Sequence, residues 1–109
     1  MENTEPRVPA LWLHCQPESG IVIPITRLTD TTQIGRHPKC GIQVPSDFVS
    51  RHHAEIFFKG GSWWVKDLNS RNGVYINNRK TELARLKNAS TLQLGRQLTF
   101  KVFVDQATG

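Results

Sequence analysis

Residues 45–56 read PSDFVSRHHAEI and place Ser50, Arg51, His52 and His53 between a turn and an apolar run. Residues of these types serve metal binding, nucleophilic attack, nucleic-acid binding or anion binding. Zinc takes four ligands in a tetrahedral array. His37 and Cys40 precede the histidine pair, but adjacent residues of a strand point to opposite faces. No second pair of ligands at metal-binding spacing follows, so no metal and no cofactor is expected. A catalytic triad needs a base oriented by a third group, and an oxyanion hole. Ser50, His53, Asp47 and Asp67 offer the residue types, yet nothing resembles a nucleophile elbow. No catalytic residue is expected, and the chain reads as a non-enzyme.

The charge suits nucleic acid, and Trp63 and Trp64 have rings on which bases could stack. The Lys and Arg residues are scattered, however, and at least one tryptophan is needed for a core. Anion recognition by loops fits best. Gly35–Arg36, Ser50–Arg51 and Arg71–Asn72–Gly73 each stand at the end of a strand-like run. If these ends share one side of a sheet, two or three cations and a hydroxyl converge. A phosphorylated side chain carries about −1.5 to −2 charge. An arginine fork can bond two of its oxygens, and a serine hydroxyl can donate to a third.

The elements that must hold these residues are short strands. Runs such as ALWLHC, GIVIPI, TTQIG, HAEIFF, SWWVKDL and LTFKVFV alternate with Gly, Pro, Asn and Asp, the pattern of an all-β sandwich or barrel. Leu98, Phe100, Val102 and Val104 fall on one face, as do Ala54, Ile56 and Phe58, and as do Trp63 and Val65. KGG at 59–61 predicts a hairpin turn. KTELARLKNAS reads as an irregular connection, with a short helix as the alternative.

Length and charge set the frame. The 109 residues suffice for one domain. From Thr31 onward twelve basic residues face five acidic ones, so this part carries +7 and the first thirty residues carry −2. That excess favours anionic partners. Cys15 and Cys40 read as two reduced thiols. No apolar run approaches the length of a membrane-spanning helix, so no membrane insertion is expected. The start lacks the basic and apolar regions of a secretory signal. The expected place is the cytoplasm, or the cytosolic face of a longer membrane protein, with the nucleus open.

Four segments in order resemble a forkhead-associated (FHA) domain: IGR at 34–36, SRHHAEI at 50–56, VKDLNSRNGVYIN at 65–77 and LQLG at 92–95. The resemblance covers about residues 11–104. Residues 1–10 then read as a flexible tail, and 105–109 as a C-terminal tail or the start of a linker. It implies a β-sandwich of about eleven mostly antiparallel strands with ligand-binding loops at one end. It further implies phosphothreonine-peptide recognition in signalling, the partner being another protein or another region of the same full-length chain.

On that resemblance Arg36 grips the phosphate and Ser50 donates its hydroxyl. Arg51 contacts phosphate or peptide, and Asn72 bonds the peptide main chain. Gly35, His53 and Gly73 support the site, while His52 is exposed and incidental. Arg71 departs from the hydroxyl residue usual there. It adds charge at the phosphate, reads an acidic peptide residue, or extends into solvent. Arg71, Arg79 and Lys80 together suggest an acidic peptide preference, and the turn near Ala89 and Ser90 departs from the family's Gly–Asp. The alternatives are a phosphate-independent scaffold, which an exposed Trp12 or Trp64 would favour, and a weak nucleic-acid binder.

Overall fold

A computed structural model describes residues 8–17 and 20–105. Among these, the strands are β1 (Leu11–Cys15), β2 (Thr26–Leu28), β3 (Thr32–Gly35), β4 (Ile42–Gln43), β5 (Ala54–Lys59) and β6 (Ser62–Asp67), followed by β7 (Val74–Ile76), β8 (Arg79–Thr81), β9 (Leu83–Leu86), β10 (Thr91–Leu94) and β11 (Leu98–Val104). One sheet runs β2-β1-β11-β10-β7-β8 and the other β4-β3-β5-β6-β9. Only β3 and β4 pair in parallel. The expected all-β sandwich of eleven mostly antiparallel strands is what forms.

Period-two patterning builds the core. Leu98, Phe100 and Val102 are buried while Thr99, Lys101 and Phe103 face out. Trp63 and Val65 are buried, and Trp64 and Lys66 lie on the outer face. Leu11, Leu13, Ile34, Ile56, Leu92 and Leu94 complete the inner layer. Each such side chain contributes about 1.5–3 kcal/mol by leaving water. Trp63 also donates its indole N–H to the Pro9 carbonyl at 2.7 Å, so its single polar atom is satisfied.

Three local readings are corrected. GIVIPI forms no strand; β2 begins at Thr26. The β1–β2 ladder runs from Leu11↔Leu28 to Leu13↔Thr26, and continuing it would bring Pro24, which has no N–H, opposite Cys15. Ile21 and Ile23 still pack on the core, but Val22 is 95% exposed. KTELARL is neither helix nor loop. It supplies the end of β8 and all of β9, and β9 is held by pairing with β6 from Lys66↔Leu83 to Trp63↔Leu86. Pro9 and Ala10 belong to the folded body: Ala10 is buried, and its carbonyl accepts Asp105 N–H at 2.9 Å. Of the tails read at 1–10 and 105–109, residues 1–7 and 106–109 lie outside the described residues. Among the described residues, no helix is long and apolar enough to cross a membrane.

The KGG turn forms as expected. Lys59 and Ser62 pair across it, and Gly60 and Gly61 take φ of 60° and 82°. Asn77 and Asn78 make the same kind of turn between β7 and β8, at 49° and 70°.

Candidate functional site

Three connections meet at one end of the sandwich: β3–β4, β4–β5 and β6–β7. Their meeting depends on Gly35, the last residue of β3. A Cβ there would lie 2.8 Å from the carbonyl carbon of Arg51 and 3.0 Å from the Ser50 oxygen, with the Arg51 oxygen nearer still. Glycine lets the 50–51 segment close on β3, and the closure is hydrogen-bonded. Arg36 N–H donates to Ser50 O, His37 N–H to Arg51 O and His53 N–H to Ile34 O, each at 3.0 Å.

His53 is fully buried and links two loops. Its Nδ1 accepts the Ser50 N–H at 3.0 Å. The ring proton therefore sits on Nε2, which donates to the Gly73 carbonyl at 2.8 Å. Burial pushes the imidazole pKa below its ordinary 6.5, partly offset by the Gly73 carbonyl and the Asp67 charge. The neutral tautomer is the one that both bonds require.

Two more bonds tie the same loops. Arg71 N–H donates to Ser50 Oγ at 2.9 Å, and Asn72 Nδ2 donates to Phe48 O at 2.7 Å. Ser50 Oγ thus accepts from the protein, and its own hydrogen is free for a ligand. Arg36 Nε donates to Val49 O at 3.1 Å, which holds the side-chain stem. Arg36, Arg51, Arg71 and Asn72 are exposed, and Ser50 is half-buried. Among the described residues, no carboxylate pairs with any of the three guanidinium groups.

The predicted set Arg36, Ser50, Arg51, Arg71 and Asn72 is therefore brought together over Gly35, His53 and Gly73. Arg79 is not part of this gathering: it pairs with Ile76, while Lys80 lies over Gly73, its Cε 3.1 Å from where a Cβ would stand. Sequence reasoning missed several members. The carbonyls of Phe48 and Val49 orient Asn72 and Arg36, and backbone acceptors leave no mark in residue types. Ser70 Oγ accepts Gly73 N–H at 3.0 Å, and Ser70 N–H bonds Asp67 Oδ1 at 3.0 Å; a polar residue at the turn start was its only signal. Gly95 donates to Gly73 O at 2.8 Å and lies against Asn72, its Cβ position 3.1 Å from the Asn72 Cβ.

His52 is exposed but not idle. Its ring stacks on His37 with centroids 4.9 Å apart, and its Nδ1 lies 3.0 Å from Gln33 Oε1. Cys40 Sγ donates to Arg51 O at 3.3 Å, and burial pushes this thiol's pKa up. Cys15 and Cys40 are both buried thiols. Among the described residues, no group of three His, Cys, Asp or Glu is placed to hold a metal ion.

A family model described as the FHA domain matches residues 32–95. The glycogen accumulation regulator GarA of Mycolicibacterium smegmatis is 41% identical over 66 residues, which cover 61% of this chain and 42% of that protein. The chain spans less than half the length of the curated relatives it matches first. A solved structure from a study of phosphothreonine-dependent FHA domain interactions superposes with a TM-score of 0.78 at 28% identity, covering 89% of this chain and 98% of that one. Mycobacterium tuberculosis EmbR, solved with a low-affinity phosphopeptide, gives 0.79 at 25% identity over 92% of this chain and 26% of that one.

Proposed function

The chain belongs to the FHA family, and from that membership we propose that it is a phosphothreonine-peptide recognition module serving phosphorylation-dependent protein–protein interaction. The observation that carries this reading is the loop end itself. Among the described residues the exposed guanidinium groups of Arg36, Arg51 and Arg71 have no carboxylate partner, and the Ser50 oxygen beside them already accepts the Arg71 N–H, so the cations and the hydroxyl at this end are donors. A phosphoryl group carries about two negative charges and offers only acceptors. Arg36 takes two phosphoryl oxygens and Ser50 donates to a third. Asn72 offers an amide with an unused carbonyl to the peptide main chain. His53 and Gly35 hold this geometry without touching the ligand. The module binds and does not catalyse, and it comprises residues 11–104 with Pro9, Ala10 and Asp105 tied to it.

Calorimetric titration with a phosphothreonine peptide, its unphosphorylated twin and its phosphoserine twin tests the reading. The expected order is micromolar binding, about −8 kcal/mol, no binding, and weaker binding. Losing a charged hydrogen bond removes about 1.5–3 kcal/mol, so Arg36→Ala should weaken binding at least about tenfold. Equal binding of the first two peptides would refute it.

A phosphate-independent scaffold is a second reading with one observation in its favour. Phe57, Trp64 and Leu83 line a shared depression on the outer face of β5, β6 and β9, and Leu83 is exposed. Trp12 does not add to it, since Arg27 lies over its ring at 5.8 Å. Light scattering that finds a dimer unaffected by Arg36→Ala would establish this second reading.

A further inference from the structure

Among the described residues, β2, β8, β4 and β9 close the edges of the two sheets. β4 has two residues, β8 is RKT with two cations, and β2 begins just after Pro24. Shortness, charge and proline guard an edge against a further strand. β9 is longer, LARL, and carries an exposed leucine with one cation. Its free side follows from the ladder. Asp67 N–H donates to Glu82 O at 2.9 Å. Pairs of an antiparallel ladder alternate, so Leu83 and Arg85, opposite Lys66 and Trp64, turn their main-chain groups away from β6. Leu83 O accepts the Thr81 hydroxyl at 3.0 Å. Leu83 N–H, Arg85 N–H and Arg85 O have no partner among the described residues.

The face beside this edge is apolar. Phe57 and Trp64 are a cross-strand pair, and together with Leu83 they line a depression of about 400 Å³. Trp64 donates its indole N–H to Lys59 O at 2.9 Å, so the ring is held and the rest of its surface is carbon. Lys59 lines the same depression, and Arg85 stands opposite Trp64. Among the described residues, no acid lines it. Phe57 and Leu83 also line a second hollow of about 470 Å³, shared with Lys66, Asp67 and Glu82. Asp67 already accepts the Ser70 N–H there at 3.0 Å. The charge along the edge is therefore uneven: cationic beside the Gly60 turn, mixed toward the loop end.

We propose that β9 and this depression form a docking edge for an extended, unphosphorylated segment of a partner protein. The segment adds to the five-stranded sheet as a sixth strand. It sets an apolar side chain against Phe57, Trp64 and Leu83, and turns an Asp or Glu toward Lys59 and Arg85. In strand addition the main-chain bonds supply affinity and the depressions choose the side chains. A second copy of the chain is the poorer occupant. It would bring Lys59, Lys66 and Arg85 of two chains of net charge +5 to one interface. In the sheet order β9 lies at the other edge from β3 and β4, between which Arg36 stands. A phosphorylated residue and a docked strand can therefore be held at once, and the inference does not depend on the phosphothreonine reading.

Selection of a phage-displayed library of random, unphosphorylated peptides on the whole chain tests the edge, with the winners remade as labelled peptides for fluorescence anisotropy. Winners should alternate apolar and polar residues and carry Asp or Glu beyond one end of the apolar stretch. Leu83→Asp should weaken them at least about tenfold, and Arg36→Ala should leave their affinity unchanged. The charge reversal Lys59→Glu, Arg85→Glu should select Lys or Arg in place of the acid. On the wild-type chain, a bound peptide should slow amide hydrogen exchange at Leu83 and Arg85, whose N–H groups then enter a ladder. The docking edge is overturned by a selection that yields no binder, by winners that bind Leu83→Asp as well as wild type or lose Arg36→Ala, or by exchange slowed at another edge. Sedimentation that finds the wild type dimeric and Leu83→Asp monomeric would give the edge to a second copy and overturn the partner. None of these results bears on phosphothreonine binding, which the peptide titration decides by itself.

Discussion

At the loop end, the bonds that matter join segments far apart in the chain: Ser50 to Arg71, Phe48 to Asn72, His53 to Gly73, and Gly73 to Gly95. At the opposite end, bonds between strands such as Ala89 N–H to Val102 O are joined by turns that lean on their own backbone geometry. Gly60, Gly61, Asn77, Asn78 and Ala89 all have positive φ there, and side chains cap the nearest strand ends. Asn77 Oδ1 accepts Thr91 N–H at 2.9 Å, and Ser90 Oγ accepts Lys87 N–H at 3.0 Å. The second kind of construction makes a stable end. The first also positions donors for something the protein does not itself supply. It concentrates the structural risk in one residue, His53, on which two loops depend.

The contrast can be broken most severely at that residue. His53→Ala leaves the Ser50 N–H and the Gly73 carbonyl without their partners, at about 1–3 kcal/mol each. A thermal melt should fall by at least about 8 °C, with peptide affinity lost alongside. Acidification attacks the same strut more gently. The folded-state pKa of His53 lies below the ordinary 6.5, so the unfolded chain takes up the proton first. Stability is then full above about pH 7 and declines as the pH falls through 6.5 and below, by at most about 1.4 kcal/mol per pH unit for one proton. Melts between pH 7.5 and 5 should show this decline; a flat profile would mean that the ring is not held neutral.

Changes at the far end should be smaller and leave binding alone. Gly60→Ala has open space around it but forces alanine into a left-handed φ, at about 1–2 kcal/mol. Ala89→Gly works the other way. It relieves a left-handed alanine at φ 69°, and the added backbone freedom of glycine leaves a gain of a few tenths to about 1 kcal/mol. Smallest of all in stability is Arg36→Ala, within about 0.5 kcal/mol, although it is the variant expected to abolish most of the phosphate affinity. Chemical denaturation and titration on the same samples would set these two scales side by side.

How much of this was legible in the sequence follows the same division. The far-end hairpin at 59–61 could be read from KGG, because a positive φ selects residue type directly. The alternation of 98–104 named its own buried face. Gly35, Arg36, Ser50, His53, Asn72 and Gly73 were picked out by the resemblance of their motifs to the FHA family. What the motifs did not carry were the backbone acceptors of Phe48 and Val49, which have no residue signature. The strand at 83–86 was hidden because its exposed face holds both Leu83 and Arg85, so hydropathy does not alternate. Its partner β6 decides its conformation. In GIVIPI, a β-branched apolar run was present and misleading, because a single proline denies the ladder a donor.

The close approach at Gly35 has a consequence for how such domains diverge. Gly35 and His53 are needed for the loops to close at all, whereas Arg36 protrudes from a finished surface. A descendant that abandons phosphate would be free to lose the arginine long before it could lose the glycine or the histidine. Two neighbouring letters, Gly35 and Arg36, therefore carry different information: the first about the architecture, the second about the proposed phosphate ligand.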